Sequence, residues 1–168
     1  MGIINKISML QFTDLDVKSN LKGKMIIRKW ISGVLESRGY TMGEINILLC
    51  SDNYILELNR NSLGHNYYTD IITFDYCQGD VVSGDLFISL DTVLANSRSY
   101  PQYFEPHFLC ELLRVMIHGI LHLSGEDDLT AAQKKRMRKA ERESLAILVK
   151  EREAEIKHEK LSCGYQPE

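Results

Sequence analysis

His107 to Leu123 reads His-Phe-Leu-Cys-Glu-Leu-Leu-Arg-Val-Met-Ile-His-Gly-Ile-Leu-His-Leu. Apolar residues occupy nearly every face of the helix this stretch would form. A helix that is hydrophobic all round is buried, so the rest of the fold must wrap around it. Pro101 and Pro106 punctuate a loop before it. Ser124-Gly125 ends it, with Gly suited to a left-handed C-terminal cap. Beyond that, Thr130 is placed to cap a long helix reaching about Lys157.

Outward from this segment the pattern alternates loosely between strands and helices. Residues 8–13 read as a short strand. Residues 21–38 carry Met25, Ile26, Trp30, Val34 and Leu35 at helical spacing, with Gly39 as a stop. Glu44 to Cys50 is rich in branched residues and reads as a buried strand. Ser51 or Asp52 then caps a helix with Ile55, Leu56 and Leu58 facing inward. Asp70 to Tyr76 and Asp85 to Leu90 read as two more strands, joined by a turn at 78–83, and Asp91 is placed to cap a helix to about Ser99. The expected class is α+β: a mixed sheet of about four strands packed with five or so helices, the 107–123 helix at the centre. One domain over residues 1–157 is expected, followed by a polar tail, 158–168, that frays.

The chain has 168 residues, 44% of them hydrophobic and 26% charged. That is an ordinary globular composition, sufficient for a core without disulfides. With 11 Gly and 3 Pro the chain is neither collagen-like nor a linker. A net charge of −3 supplies no global basic field, so any nucleic-acid contact must rest on a local patch. No run approaches the roughly 18 apolar residues of a membrane span. Cys50, Cys77, Cys110 and Cys163 never form a C-x-x-C pair, and no export signal precedes them. Reduced thiols in a cytoplasmic protein, with no membrane association, are therefore expected.

The chemistry sits at the end of the apolar helix, in His118-Gly-Ile-Leu-His122-Leu-Ser-Gly125-Glu126-Asp127-Asp128. Histidines four apart project from one helix face, about 5–6 Å between Cβ atoms. Both imidazoles can then reach one metal ion. The spacing H-x3-H-x2-G-x2-D places a third ligand at Asp128, with Asp127 and Glu126 as alternatives. Asp127 is equally placed to orient a ligand from behind. Three protein ligands leave a fourth position for water, as in a catalytic zinc site. Metalloproteases with this spacing need Glu directly after the first His. Here that residue is Gly119, which disfavours peptide hydrolysis.

The segment resembles the hallmark H-G-x-L-H-L-x-G-Y-D-H of the YbeY family, bacterial ribosomal RNA maturation factors described as metal-dependent endoribonucleases. Leu58-Asn59, Thr69-Asp70-Ile71-Ile72-Thr73-Phe74 and Gly84-Asp85-Leu86-Phe87-Ile88 resemble further blocks of that family in its order, and Met137 and Glu141 fit its M-x3-E. The resemblance spans residues 44–150. It implies a zinc-dependent endoribonuclease cutting single-stranded RNA in ribosomal RNA maturation and ribosome quality control. It also implies one Zn²⁺ per chain on His118, His122 and Asp128, and ribosomal RNA with small-subunit ribosomal proteins as partners. Three positions depart from the family: Asp128 replaces its third histidine, Glu126 its tyrosine, and Leu63 an arginine tied to RNA cleavage. Arg60 is close in sequence but falls on another helical face; it is a candidate for that role to which the likeness does not carry over.

Lys134, Lys135, Arg136, Arg138 and Lys139 read either as a phosphate-tracking patch or as a solvated helix face. Tyr67 and Tyr68 either stack on bases or close the core. Asp70 lies near the site by family likeness, or simply starts a strand. The alternative function is a non-catalytic ribosome-assembly or RNA-binding factor whose metal is structural.

Overall fold

Two-residue alternation builds the sheet. In a computed structural model that describes residues 9–155 and 160–167, the strands are β1 (Met9–Asp14), β2 (Thr41–Cys50), β3 (Ile71–Asp75) and β4 (Val81–Ser89). Along β4, Val82, Gly84, Leu86 and Ile88 are buried, while the residues between them face the other side half-buried. This is the signature of a sheet covered unequally on its two faces. The strand order is β1-β2-β4-β3. β1 and β4 each run parallel to β2, whereas β3 and β4 form an antiparallel hairpin. The sheet is therefore mixed, as expected, with β3 on an edge.

The helices are α1 (Lys24–Ser37), α2 (Asp52–Leu63), α3 (Leu90–Ser99), α4 (His107–Leu123) and α5 (Ala131–Glu155). On one face α4 packs across β3 and β4, α1 packs on β2, and α5 lies over α4 and α1. The main core lies here, and Ile27, Trp30, Ile47, Leu86, Leu113, Ile117 and Leu121 are completely buried in it. The Trp30 indole donates to the Ser144 carbonyl at 2.7 Å, tying α1 to α5. α2 covers the opposite face over a smaller cluster of Cys50, Ile55 and Ile72. α4 is thus sandwiched between sheet and helices, which is why its sequence is apolar all round.

Capping residues set the boundaries. The Ser51 hydroxyl accepts from the Tyr54 N–H and starts α2. Thr130 and Gln133 cap each other reciprocally at the start of α5. The helix expected to begin at Asp91 begins at Leu90, capped by Ser89. Asp91 instead accepts from the Asp52 N–H and the Tyr165 hydroxyl. The turn expected to run to residue 83 closes earlier, because Val81 and Val82 already pair with Thr41 and Met42.

Residues 160–167, expected to fray, are seated on the body. Ser162 bridges Lys22, and Leu161 is buried against Gly23. The Tyr165 ring stacks on Phe108 at 5.8 Å. Apolar anchoring outweighs the polar composition of this segment. Residues 158 and 159, Ser8 of the first expected strand, and the end of the last helix near Lys157 lie outside the described residues. All four cysteines are free thiols, as expected.

Candidate metal centre

The end of α4 dictates the site. Gly125 adopts φ 95°. Its N–H bonds to the His122 carbonyl and the Glu126 N–H to the Leu121 carbonyl, both at 3.0 Å. This paired-bond turn satisfies the last helical carbonyls and reverses the chain. The reversal carries the Glu126 carbonyl to 2.9 Å from His122 Nδ1. It also brings Asp128 Oδ2 to 3.6 Å from His118 Nε2 and 3.5 Å from His122 Nε2. Arg38, at the end of α1, forms an ion pair with Glu126 and anchors the turn from outside.

The two Nε2 atoms stand 3.0 Å apart. Each ring's Nδ1 faces an acceptor: Glu141 Oε1 at 2.7 Å for His118, and the Glu126 carbonyl for His122. The ring protons therefore belong on Nδ1, and both Nε2 atoms present lone pairs. Two lone pairs and a carboxylate oxygen converging on one point repel each other unless a cation lies between them. Ligands about 2.0 Å from a tetrahedral zinc are about 3.3 Å from each other. The observed edges of 3.0, 3.5 and 3.6 Å bracket that value. His118, His122 and Asp128 are the group that can hold a metal ion among the described residues. The donor set fits a divalent ion of borderline softness.

A cavity of about 360 Å³ opens onto these three residues, walled along β3 by Thr69, Asp70, Ile71, Thr73 and Asp75. Gly119 explains how α4 lies so close to that strand. A Cβ there would meet Ile71 Cδ1 and Leu86 Cδ2 at 2.6 Å. The same position that lacks a protease's glutamate thus takes a side chain only if Ile71 and Leu86 shift.

Behind His118 lies a charge network in which Glu111 and Glu141 are buried and Arg114 and Asp70 half-buried. Arg114 makes two contacts to Glu111, at 2.8 and 3.1 Å, and reaches Glu141 at 3.3 Å and Asp70 at 3.7 Å. Burial alone would lower the guanidinium's pKa, but the Glu111, Glu141 and Asp70 carboxylates more than reverse this and hold it above its ordinary value.

The remaining sequence candidates are placed as follows. Asp127 is exposed, and the orienting role expected of it is taken by Glu141 and the Glu126 carbonyl. Arg60 is exposed on α2 and donates to Asn66 at 2.6 Å, outside the cavity wall. Leu63 is exposed as well. Lys134, Lys135, Arg136, Arg138 and Lys139 are all exposed on α5. Tyr67 and Tyr68 are exposed, which excludes the core-closing reading. Asp70 lines the cavity. Sequence reasoning missed Arg114 and gave Glu141 no role. The available signal was an Arg one turn before His118 on an otherwise buried face.

The sequence profile described as Endoribonuclease YbeY matches residues 11–149. The chain belongs to the YbeY family. Its membership places it among nuclease hydrolases. The protein named Endoribonuclease YbeY from Bacteroides thetaiotaomicron is 51% identical over 119 residues, which is 71% of this chain and 84% of that protein. The YbeY relative of the same name from Porphyromonas gingivalis is 50% identical over 125 residues, covering 74% of this chain and 80% of its own length. The solution structure of TM1509 from Thermotoga maritima matches with a TM-score of 0.58 and 25% identity, covering 87% of this chain and 93% of that one. No helix among the described residues is long and apolar enough to cross a membrane.

Proposed function

We propose that this YbeY-family chain is a zinc-dependent endoribonuclease that cuts single-stranded RNA during ribosomal RNA maturation and ribosome quality control in the cytoplasm. The convergence of His118 Nε2, His122 Nε2 and Asp128 Oδ2 carries the reading. These three residues would hold the ion. A divalent ion there supplies Lewis acidity toward a phosphate oxygen and lowers the pKa of a water.

The chain's own residues do the rest. Glu141 and the Glu126 carbonyl keep both rings in the tautomer that aims Nε2 at the ion. Asp75 and Asp128, with Asp70 beside Arg114, make the cavity wall acidic, and among the described residues no Lys or Arg lines it. An RNA phosphate is therefore repelled until the cation is in place, so cleavage is tightly coupled to metal loading. Outside the cavity, the exposed cations of α5 offer phosphate contacts. Tyr67, two residues before the first wall residue, stacks on His65 at 5.3 Å and stands 57% exposed. Tyr68 stands beside it at 58%. Exposed aromatics suit the unstacked bases of a single strand, not a duplex.

The deciding experiment is metal content by elemental analysis, with RNA cleavage assayed on the same preparations, for wild type and Asp128→Ala. One metal per chain, lost with Asp128 together with cleavage, is the expected result. Metal retained in Asp128→Ala moves the third ligand elsewhere. A folded, metal-free wild type overturns the reading. The uncharged Leu63 at the family's arginine position favours the second reading, an assembly factor with a structural metal. That reading predicts metal in the wild type without cleavage.

A further inference from the structure

We propose that Arg114 is a positioning residue for the metal site, acting on His118 through Glu141. The inference rests on the reading of His118, His122 and Asp128 as metal ligands.

Glu141 Oε1 is shared. It faces His118 Nδ1 at 2.7 Å and Arg114 Nη1 at 3.3 Å. The carboxylate is buried, and among its described contacts these two fix its orientation. Arg114 is itself fixed by its fork on Glu111, a two-bond geometry that sets the plane of the guanidinium. Glu111 is buried on the same helix, three residues earlier. The rigid order is therefore Glu111, Arg114, Glu141, His118, with α4 supplying both ends and the middle and α5 supplying Glu141.

Two consequences follow from the chemistry. First, Arg114 keeps Glu141 aimed at Nδ1 and not at solvent. His118 Nε2 is thereby held toward His122 and Asp128 before any ion arrives, so the ordering cost is met by the fold. Second, Arg114 Nη2 lies 3.7 Å from Asp70, which lines the cavity. The same guanidinium thus ties the β3 wall to the group that aims the ligand. A lysine cannot reproduce this, because a point charge lacks the planar fork.

The test is zinc affinity by chelator competition, together with the melting temperature of the metal-stripped protein. The variants are Arg114→Gln, Arg114→Lys, Glu141→Gln and the Arg114→Gln/Glu141→Gln double variant. Outer partners of metal-bound histidines are worth roughly 10- to 100-fold in affinity. Arg114→Gln should lose zinc affinity on that scale, with Arg114→Lys intermediate. The double variant should bind no worse than Glu141→Gln alone, because Arg114 acts through Glu141. A merely structural arginine lowers the melting temperature and leaves zinc affinity where it was. That outcome, or losses that multiply in the double variant, overturns the proposal. Should Arg114→Gln fail to fold, Arg114→Lys against the Glu141→Gln background gives the same comparison. A wild type that binds no zinc overturns the metal-site reading itself, and this is distinguishable because it appears before any substitution.

Discussion

A methyl group on Gly119 would stand 2.6 Å from side-chain methyls of both Ile71 and Leu86, so both must shift to admit it. Gly119→Ala should therefore force Ile71 and Leu86 to repack between α4 and the sheet. Overpacking of this kind costs about 1–3 kcal/mol, so thermal melting should fall by several degrees. The cavity should distort with it, because Ile71 is one of its wall residues. Cys50 offers a test of burial by titration. Burial first, then the Asp16, Asp52 and Asp91 charges, push its thiol from an ordinary 9.0 up to about 12. Between pH 9 and about 12 the unfolded chain loses that proton while the folded chain keeps it. Stability from this group is therefore intact below pH 9 and falls as pH rises through the window. Denaturant titrations of wild type and Cys50→Ala across pH 8–10.5 should show the wild type losing stability faster. At this scale the convergence of His118, His122 and Asp128 was readable because histidines four apart and a counted Asp are local signals. The link between Arg114 and Glu141 was not, because it joins α4 to α5 and only packing reveals it.

The turn after α4 decides whether three ligands meet. Its left-handed Gly125 carries φ 95°, a conformation that costs an L-residue roughly 1 kcal/mol. Gly125→Ala should lower stability by about that amount. The larger expected effect is on zinc affinity, because the same turn places both the Glu126 carbonyl and Asp128. Chelator competition and melting on one preparation separate the two effects. Elements of strong periodicity were legible: α4 occupies His107–Leu123 as the apolar run implies, and the mixed four-stranded sheet with five helices follows the pattern read along the chain. Starts decided by competing caps were less so. Ser89 and Asp91 are both good N-caps, and Asp91 is taken by Asp52 and Tyr165 instead. Tyr165 lies 74 residues away from its partner, beyond the reach of local pattern.

Over the whole molecule, a net charge of −3 conceals two opposed regions. The cavity wall is acidic, while α5 presents Lys134, Lys135, Arg136, Arg138 and Lys139 to solvent. RNA held by α5 should show salt-dependent binding, its log–log slope falling by about 0.7 for each phosphate contact removed. Lys135→Ala/Lys139→Ala should flatten the slope. Tyr67→Ala/Tyr68→Ala should weaken affinity for single-stranded oligonucleotides with the slope unchanged, since stacking releases no counterions. Anisotropy titrations at three salt concentrations measure both. The acidic region comes from Asp70, just before the edge strand, and Asp75 at its end meeting Asp128 from the turn, a juxtaposition made by tertiary structure.

His118, His122 and Asp128 fall within one helix end and its turn, ten residues from first to last. Loop-closure entropy for so short a span is small. Such a ligand set can assemble while the distant ends of the sheet are still unpaired. The ion's stabilisation should then enter at the folding barrier, not after it. In stopped-flow experiments, added zinc should accelerate refolding more than it slows unfolding, the behaviour of an ion that nucleates the fold.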